Sequence, residues 1–98
     1  MKAVDFIQVA HDLVGGQRNR QHGDAIENHE KIAALWNGWL AIRREPAAPL
    51  TAHDVATMME LLKVARRATG AYNSDDYIDG AGYASIAGEC AFAEQSRG

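Results

Sequence analysis

The sequence predicts an all-α protein of four helices in one compact domain. Apolar residues recur every three or four positions over four stretches, and N-cap residues, glycines or prolines bound these stretches. No stretch shows the regular alternation of apolar and polar residues that marks a half-buried strand. The chain has 98 residues, so we expect residues 1–98 to form a single helical domain. A domain of this size has modest stability alone, and we expect an oligomer.

Two helices are predicted in the first half of the chain. Residues 3–14 fit an amphipathic helix that ends at a pair of glycines, followed by a polar loop over residues 17–24. Residues 25–43 form the second helix, with one apolar and one small, acidic side. The apolar sides carry Ala3, Phe6, Ile7, Ala10, Leu13 and Val14 in the first helix and Ile26, Ile32, Leu35, Trp36, Trp39 and Leu40 in the second. The small, acidic side of the second helix is expected to be solvated or to form an oligomer contact; its members are Glu27, Glu30, Ala34, Gly38 and Ala41.

The third helix has a well-marked start. Thr51 is a natural N-cap, and Asp54 stands three residues later, where a capping box has its acidic residue. The helix is expected to run to about Thr69 and to stop at Gly70.

The fourth helix is expected to begin at Asn73 or Ser74 and to end near Glu94. Asp75 and Asp76 suit the positive end of its dipole.

Bulk composition narrows the class of protein. Ten Lys and Arg against 13 Asp and Glu give a formal net charge of −3, which does not indicate a general nucleic-acid-binding surface. The single cysteine, Cys90, excludes an internal disulfide and fits a reducing compartment. No apolar run has the length of a membrane span, and the first residues lack the core of a signal peptide. We therefore expect a cytoplasmic protein.

Three helices carry a polar residue inside the predicted apolar arc. These residues are Asn28, Arg66 and Asp79. Burying a charge is costly unless it is paired or used, so the three suggest a polar cluster or a pocket. A buried salt bridge between Arg66 and Asp79 is the structural explanation that competes with a ligand site.

Lys63 and Arg66 are candidates for phosphate binding. They lie one turn apart on the third helix, and Arg offers a planar fork where Lys offers a point charge. The alternatives are side chains that extend to solvent or pair with the aspartates. In a nucleotide site the Asn28 amide would form hydrogen bonds with a polar edge of the nucleotide, and the ring of Tyr83 or Trp39 would stack on the base.

An acidic cluster offers a candidate magnesium site. Asp75, Asp76 and Asp79 fall within one turn of the fourth helix, and Mg²⁺ is usually shared between one or two carboxylates, water and substrate phosphates. Asp76 and Asp79 are the candidate metal ligands. The competing interpretation is that Asp75 and Asp76 only stabilise the helix N-terminus, while Asp79 orients Arg66.

Several blocks of this sequence resemble a family of small proteins from tailed phages and prophages. The matching blocks are Arg20–Asp24, Glu27–Asn28 with Ile32–Trp36, Leu50–Ala56, Met59 with Leu62–Arg66, and Asp75–Asp79 with Gly82–Ala84. The resemblance covers most of residues 17–89. It implies a phage or prophage origin and a place of action in the bacterial host.

A looser similarity is to the all-α nucleotide pyrophosphohydrolases of the MazG and dUTPase type. This resemblance implies that Glu27, Glu30, Asp76 and Asp79 would hold Mg²⁺, with Lys63 near the phosphates of a nucleoside triphosphate.

Three functions are compatible with these features. The first is binding of a phosphorylated nucleotide without turnover, as in sequestering a nucleotide signal of host defence. The second is Mg²⁺-dependent hydrolysis of a nucleoside triphosphate. The third is inhibition of a host immune complex through protein binding.

Overall fold

The computed structural model describes residues 1–15 and 24–97, and within these ranges it contains helices and no strand. The helices are α1 (Ala3–Gly15), α2 (Ala25–Ile42), α3 (Ala52–Arg66) and α4 (Asp75–Arg97). The predicted all-α class and the four helices are confirmed. The predicted polar loop over residues 17–24 lies outside the described residues, except for Asp24.

Local side-chain hydrogen bonds set the starts of α2 and α3. Asp24 is the N-cap of α2, and its carboxylate accepts a hydrogen bond from Glu27 N at 2.9 Å. At α3 the predicted capping box is present, because the Thr51 hydroxyl accepts from Asp54 N at 3.2 Å and the Asp54 carboxylate accepts from Thr51 N at 2.9 Å. Each bond satisfies an N–H group that has no partner within its helix.

α3 is the central helix and packs against both α2 and α4. The neighbours run antiparallel to it. The Trp36 indole of α2 donates to Met58 O at 2.6 Å, and the backbone N–H of His53 donates to Glu94 of α4 at 3.3 Å. α2 and α4 make no extensive contact with each other, so they flank α3 and leave a groove between them.

α1 has an uncovered apolar side. Every residue of α1 is exposed, and α1 packs extensively against none of the other described helices. The predicted amphipathic helix therefore exists, but its apolar side does not enter a core formed by α2, α3 and α4.

The buried apolar core is small. Its members in the described part of the chain are Ile32, Ala56, Met58, Ala65 and Ala87. The prediction that Ile26 faces inward is wrong, since that residue is 71% exposed. No helix in the described ranges is both long enough and apolar enough to cross a membrane.

The buried side of α4 differs from the predicted one. Asp76, Gly80 and Ala87 are buried, whereas Asp79 and Ile86 are exposed. The prediction centred the inward arc on the larger apolar residues, but α4 packs closely on α3 through a glycine and an alanine. This rotation of the contact face turns Asp79 outward and Asp76 inward.

Candidate functional site

Three cations gather at the end of α3, and we name Lys63, Arg66 and Arg67 the basic cluster. Lys63 pairs with Asp79 of α4, with Nζ and Oδ2 3.0 Å apart. Arg66 is half-buried, and its side chain has no hydrogen bond or ion pair with the described residues. The Arg67 guanidinium lies 4.3 Å from the centroid of the Tyr77 ring, in a cation–π contact. Two of the three cations therefore lack a carboxylate partner in the part of the chain that the structure describes.

The predicted pair of Arg66 with Asp79 is wrong. Asp79 bonds to Lys63 instead, and its side chain keeps 46% of its surface exposed. The cause is the rotation of α4 described above, which brings Asp79 to the edge of the helix pair rather than between the helices. An ion pair at such an exposed position contributes little to stability.

Gly80 allows α4 to approach the basic cluster closely. A Cβ atom at this position would lie 3.0 Å from Nη2 of Arg67 and 3.7 Å from Cβ of Lys63. The side chains of α3 therefore occupy the space that any larger residue at position 80 would need.

Asp76 is the most deeply buried carboxylate of this end. It is 3% exposed, and its side chain has no hydrogen-bond or ion-pair partner among the described residues. It precedes Gly80 by one turn, and both residues are buried on the side of α4 that faces α3. A buried carboxylate without a partner is costly, so Asp76 is the member of the predicted metal pair for which a ligand or cation would matter most.

Two exposed tyrosines lie beside the basic cluster. The rings of Tyr72 and Tyr77 have centroids 6.2 Å apart and an interplanar angle of 32°. Sequence reasoning missed both and selected Tyr83, which is half-buried about one turn further along α4 from Asp79. The signal available in the sequence was the position of Tyr72 and Tyr77 on either side of the start of α4.

Asn28 lies at the same end of the molecule, and its predicted place inside the arc is confirmed by its burial. Its side-chain oxygen accepts a hydrogen bond from the Thr69 hydroxyl. This bond ties the start of α2 to the segment that follows α3. The role of Asn28 in reading a ligand stays a prediction.

Trp39 lies at the opposite end of the helices. Its ring is edge-on to His53, with centroids 5.7 Å apart, and its Nε1 donates to Asp54 at 3.1 Å. Asp54 and Lys63 are nine residues apart on α3, which is about 14 Å along the helix axis. Trp39 and the basic cluster therefore do not share one small-ligand site.

A corner cluster of Trp39, Arg43, Thr51 and Asp54 fixes the turn from α2 into α3. Arg43 Nη1 lies 2.7 Å from Asp54 Oδ2, and both side chains are more than nine-tenths buried. Burial raises the pKa of Asp54, but hydrogen bonds from Thr51 and Trp39 and the charge of Arg43 outweigh it, so the pKa lies below its ordinary value. The same guanidinium donates to backbone carbonyls of the connecting segment, those of Pro46, Ala48 and Pro49. Sequence reasoning identified the Asp54 cap but missed its arginine partner.

The acids that the pyrophosphohydrolase resemblance would assign to Mg²⁺ do not form one group. Glu27 and Glu30 are exposed on the outward side of α2, and Glu27 pairs with Lys31 at 3.1 Å. In the described ranges no three His, Cys, Asp or Glu side chains come close enough together to hold a metal ion. A metal at Asp76 and Asp79 would need oxygens from a bound phosphate or water.

The fold and the site geometry describe a small all-α protein, and comparison with known proteins gives its family. The chain matches the family described as a domain of unknown function (DUF6378) over residues 5–91, and it belongs to that family. It is 37% identical to the Gene 55 protein of Mycobacterium phage L5 over 94 residues, which are 96% of this chain and 57% of the relative. It is 36% identical to the Gene 55 protein of Mycobacterium phage D29 over 79 residues, which are 81% of this chain and 48% of the relative.

These comparisons confirm the resemblance to phage proteins. The chain spans about half the length of these two relatives, and no solved structure matches it. The similarity to MazG-type pyrophosphohydrolases is not shown by the comparisons.

Proposed function

We propose that this phage-type protein binds a phosphorylated nucleotide at the basic cluster, acting in the cytoplasm of the bacterial host. The observation that carries the proposal is that Arg66 and Arg67 have no carboxylate partner among the described residues, whereas Lys63 of the same cluster pairs with Asp79 of α4. A phosphate offers both guanidinium groups charged oxygen acceptors, and Arg binds such oxygens in a bidentate manner.

The surroundings of the cluster support a nucleotide rather than free phosphate. Tyr72 and Tyr77 present exposed aromatic surface next to Arg67, and a base stacks on such rings with little regard to its identity. In this proposal Asp76 would orient Arg66 when the ligand is bound or, with a bound phosphate, hold Mg²⁺. Tyr83 and Asn28 would contact the ligand from the inner side of the same end.

The test is calorimetry with a panel of nucleoside triphosphates and cyclic dinucleotides, each with Mg²⁺ and with chelator. We expect at least one ligand to bind. A charged hydrogen bond contributes about 1.5–3 kcal/mol, so Arg66→Ala and Lys63→Ala should each weaken binding by about ten- to a hundredfold. The matched control is Arg97→Ala, which removes an exposed arginine at the far end of α4 and should leave the affinity unchanged.

The same experiment separates binding from turnover. A ligand recovered intact, with binding that persists in chelator, supports sequestration of a nucleotide, as expected of a protein that removes a host defence signal. Release of pyrophosphate in the presence of Mg²⁺ supports the hydrolase instead, and Asp76→Asn should then abolish turnover. If no nucleotide in the panel binds, the proposal fails, and inhibition of a host protein becomes the leading hypothesis.

A further inference from the structure

The ring of Tyr77 is covered on one face by the Arg67 guanidinium. The central carbon of the guanidinium lies 4.3 Å from the ring centroid, well inside the distance of a cation–π contact. Tyr77 is nevertheless 50% exposed, and Tyr72, whose ring centroid lies 6.2 Å away, is 82% exposed. Arg67 is itself exposed, so this ring face is covered by a long surface side chain and not by the core.

Arg67 also lies beside the cation of the basic cluster that faces α4. Lys63 and Arg67 are four residues apart and therefore on the same side of α3. Both come close to Gly80, where a Cβ atom would lie 3.7 Å from Lys63 Cβ and 3.0 Å from Arg67 Nη2. The guanidinium therefore has two alternative partners at this place, which are the Tyr77 ring and a phosphate bound at the basic cluster.

The two partners of Arg67 differ in strength. A cation–π contact at an exposed site changes an equilibrium constant by about two- to fivefold, whereas a charged hydrogen bond changes it by about ten- to a hundredfold. A bound phosphate would therefore draw the guanidinium away from Tyr77, and a base could stack on the ring face that is uncovered. A base alone must displace the guanidinium without offering it an anion.

We propose that Arg67 and Tyr77 couple a phosphate subsite to a base subsite, so that the protein selects nucleotides more strongly than two independent contacts would. This inference rests on the proposed nucleotide binding and states how that site discriminates against nucleosides and inorganic phosphates. Phosphate binding uncovers the stacking surface, and a stacked base keeps Arg67 on the phosphate. The coupling is reciprocal, because each of two ligands must raise the affinity for the other by the same factor.

The test offers the two halves of a nucleotide separately. Adenosine and inorganic pyrophosphate are the probes, and NMR titrations that follow the ring signals of Tyr72 and Tyr77 measure their affinities. In the wild type, saturating pyrophosphate should raise the affinity for adenosine about two- to fivefold, which is the factor by which Arg67 holds the ring. Pyrophosphate should also shift the ring signals of Tyr77 before any base is added.

Substitution of Arg67 should move the two affinities in opposite directions. Arg67→Gln uncovers the Tyr77 ring, so it should raise the affinity for adenosine about two- to fivefold and lower that for pyrophosphate about ten- to a hundredfold. The matched control is Arg66→Gln, since Arg66 has no ring contact with the described residues. This control should weaken pyrophosphate binding and leave adenosine binding unchanged. Circular dichroism verifies that both variants are folded.

An adenosine affinity that pyrophosphate does not raise would overturn the coupling. Weaker adenosine binding by Arg67→Gln would overturn it as well, because Arg67 would then be part of the stacking surface. In either case, binding of ATP that Arg66→Gln weakens would still support the nucleotide function, so the two failures are distinguishable. If adenosine, pyrophosphate and the panel of nucleotides all fail to bind, the nucleotide function is wrong and the coupling is wrong with it.

Discussion

The corner cluster allows a prediction with a magnitude worked from its contacts. The carboxylate of Asp54 accepts hydrogen bonds from Arg43 at 2.7 Å, from the Trp39 indole at 3.1 Å, and from the backbone N–H and hydroxyl of Thr51 at 2.9 and 3.1 Å. Three of these four bonds go to Oδ2. Asp54→Asn keeps the size of the side chain, and its amide oxygen can accept the three hydrogen bonds that Oδ2 accepts. The negative charge is lost, however, and an NH₂ group then faces the N–H of the Trp39 indole.

The expected cost of Asp54→Asn is about 3–5 kcal/mol in the free energy of unfolding, the range for breaking a buried ion pair by removing one partner. The cost is high because the side chain of Arg43 is 8% exposed and would keep its charge without compensation. Urea unfolding followed by circular dichroism and by the fluorescence of Trp36 and Trp39 measures the loss. Asp12→Asn, at an exposed position of α1, is the control and should change stability by less than about 0.5 kcal/mol.

The dependence on pH provides a second measurement of the same interaction. Because the pKa of folded Asp54 lies below the ordinary value of 3.8, its contribution to stability is present above that pH and is lost as the pH falls through the lowered pKa. The difference between wild type and Asp54→Asn should therefore be constant from neutral pH to about 4 and narrow below it. A loss under 1 kcal/mol at neutral pH, or a difference that does not narrow in acid, would refute the reasoning.

Two further predictions concern α4 and its contact with α3. Lys63→Ala and Asp79→Ala should each change the free energy of unfolding by less than about 1 kcal/mol, since their ion pair is partly exposed; a loss of several kcal/mol in urea titrations would show that the pair is buried. Gly82→Ala should stabilise the protein by up to about 1 kcal/mol, because among the described residues no atom outside its own helix lies within 4 Å of the added methyl group. Gly80→Ala should gain less in thermal melts, because Arg67 must move away from the new Cβ; equal gains at the two glycines would contradict the close approach.

The sequence predicted the features that depend on neighbouring residues. The Thr51–Asp54 capping box involves residues three apart, so its pattern is visible before any folding is considered. The start of α4 near Ser74 and the left-handed turn at Gly70, with φ of 71°, are local in the same sense. Helix bounds consequently agree to within a few residues at every described end.

The sequence did not predict which side of α4 faces α3 or which predicted site residues meet. Periodicity ranks side chains by apolar character and so predicts that Ile86 is buried. It cannot show that α4 instead approaches α3 closely at Gly80. The separation of Trp39 from Lys63 depends on where along α3 the neighbouring helices contact it. A helical wheel shows only the angle of each residue around the helix axis, so it cannot predict this distance. The uncovered side of α1 is a third case. The amphipathic pattern of α1 indicates that its apolar side packs against a surface, but the pattern does not identify that surface.

The corner cluster also determines how this part of the molecule opens. Asp54 closes the first turn of α3 through Thr51, holds the indole of Trp39 and neutralises Arg43, and Arg43 in turn holds the carbonyls of the segment between α2 and α3. Separating Arg43 from Asp54 would leave two buried charges without compensation, and the other contacts of the corner all involve one of these two residues. Fraying of α3 at its start and opening of the preceding segment are therefore one cooperative event, and amide hydrogens throughout this corner should report a common free energy of opening in hydrogen exchange.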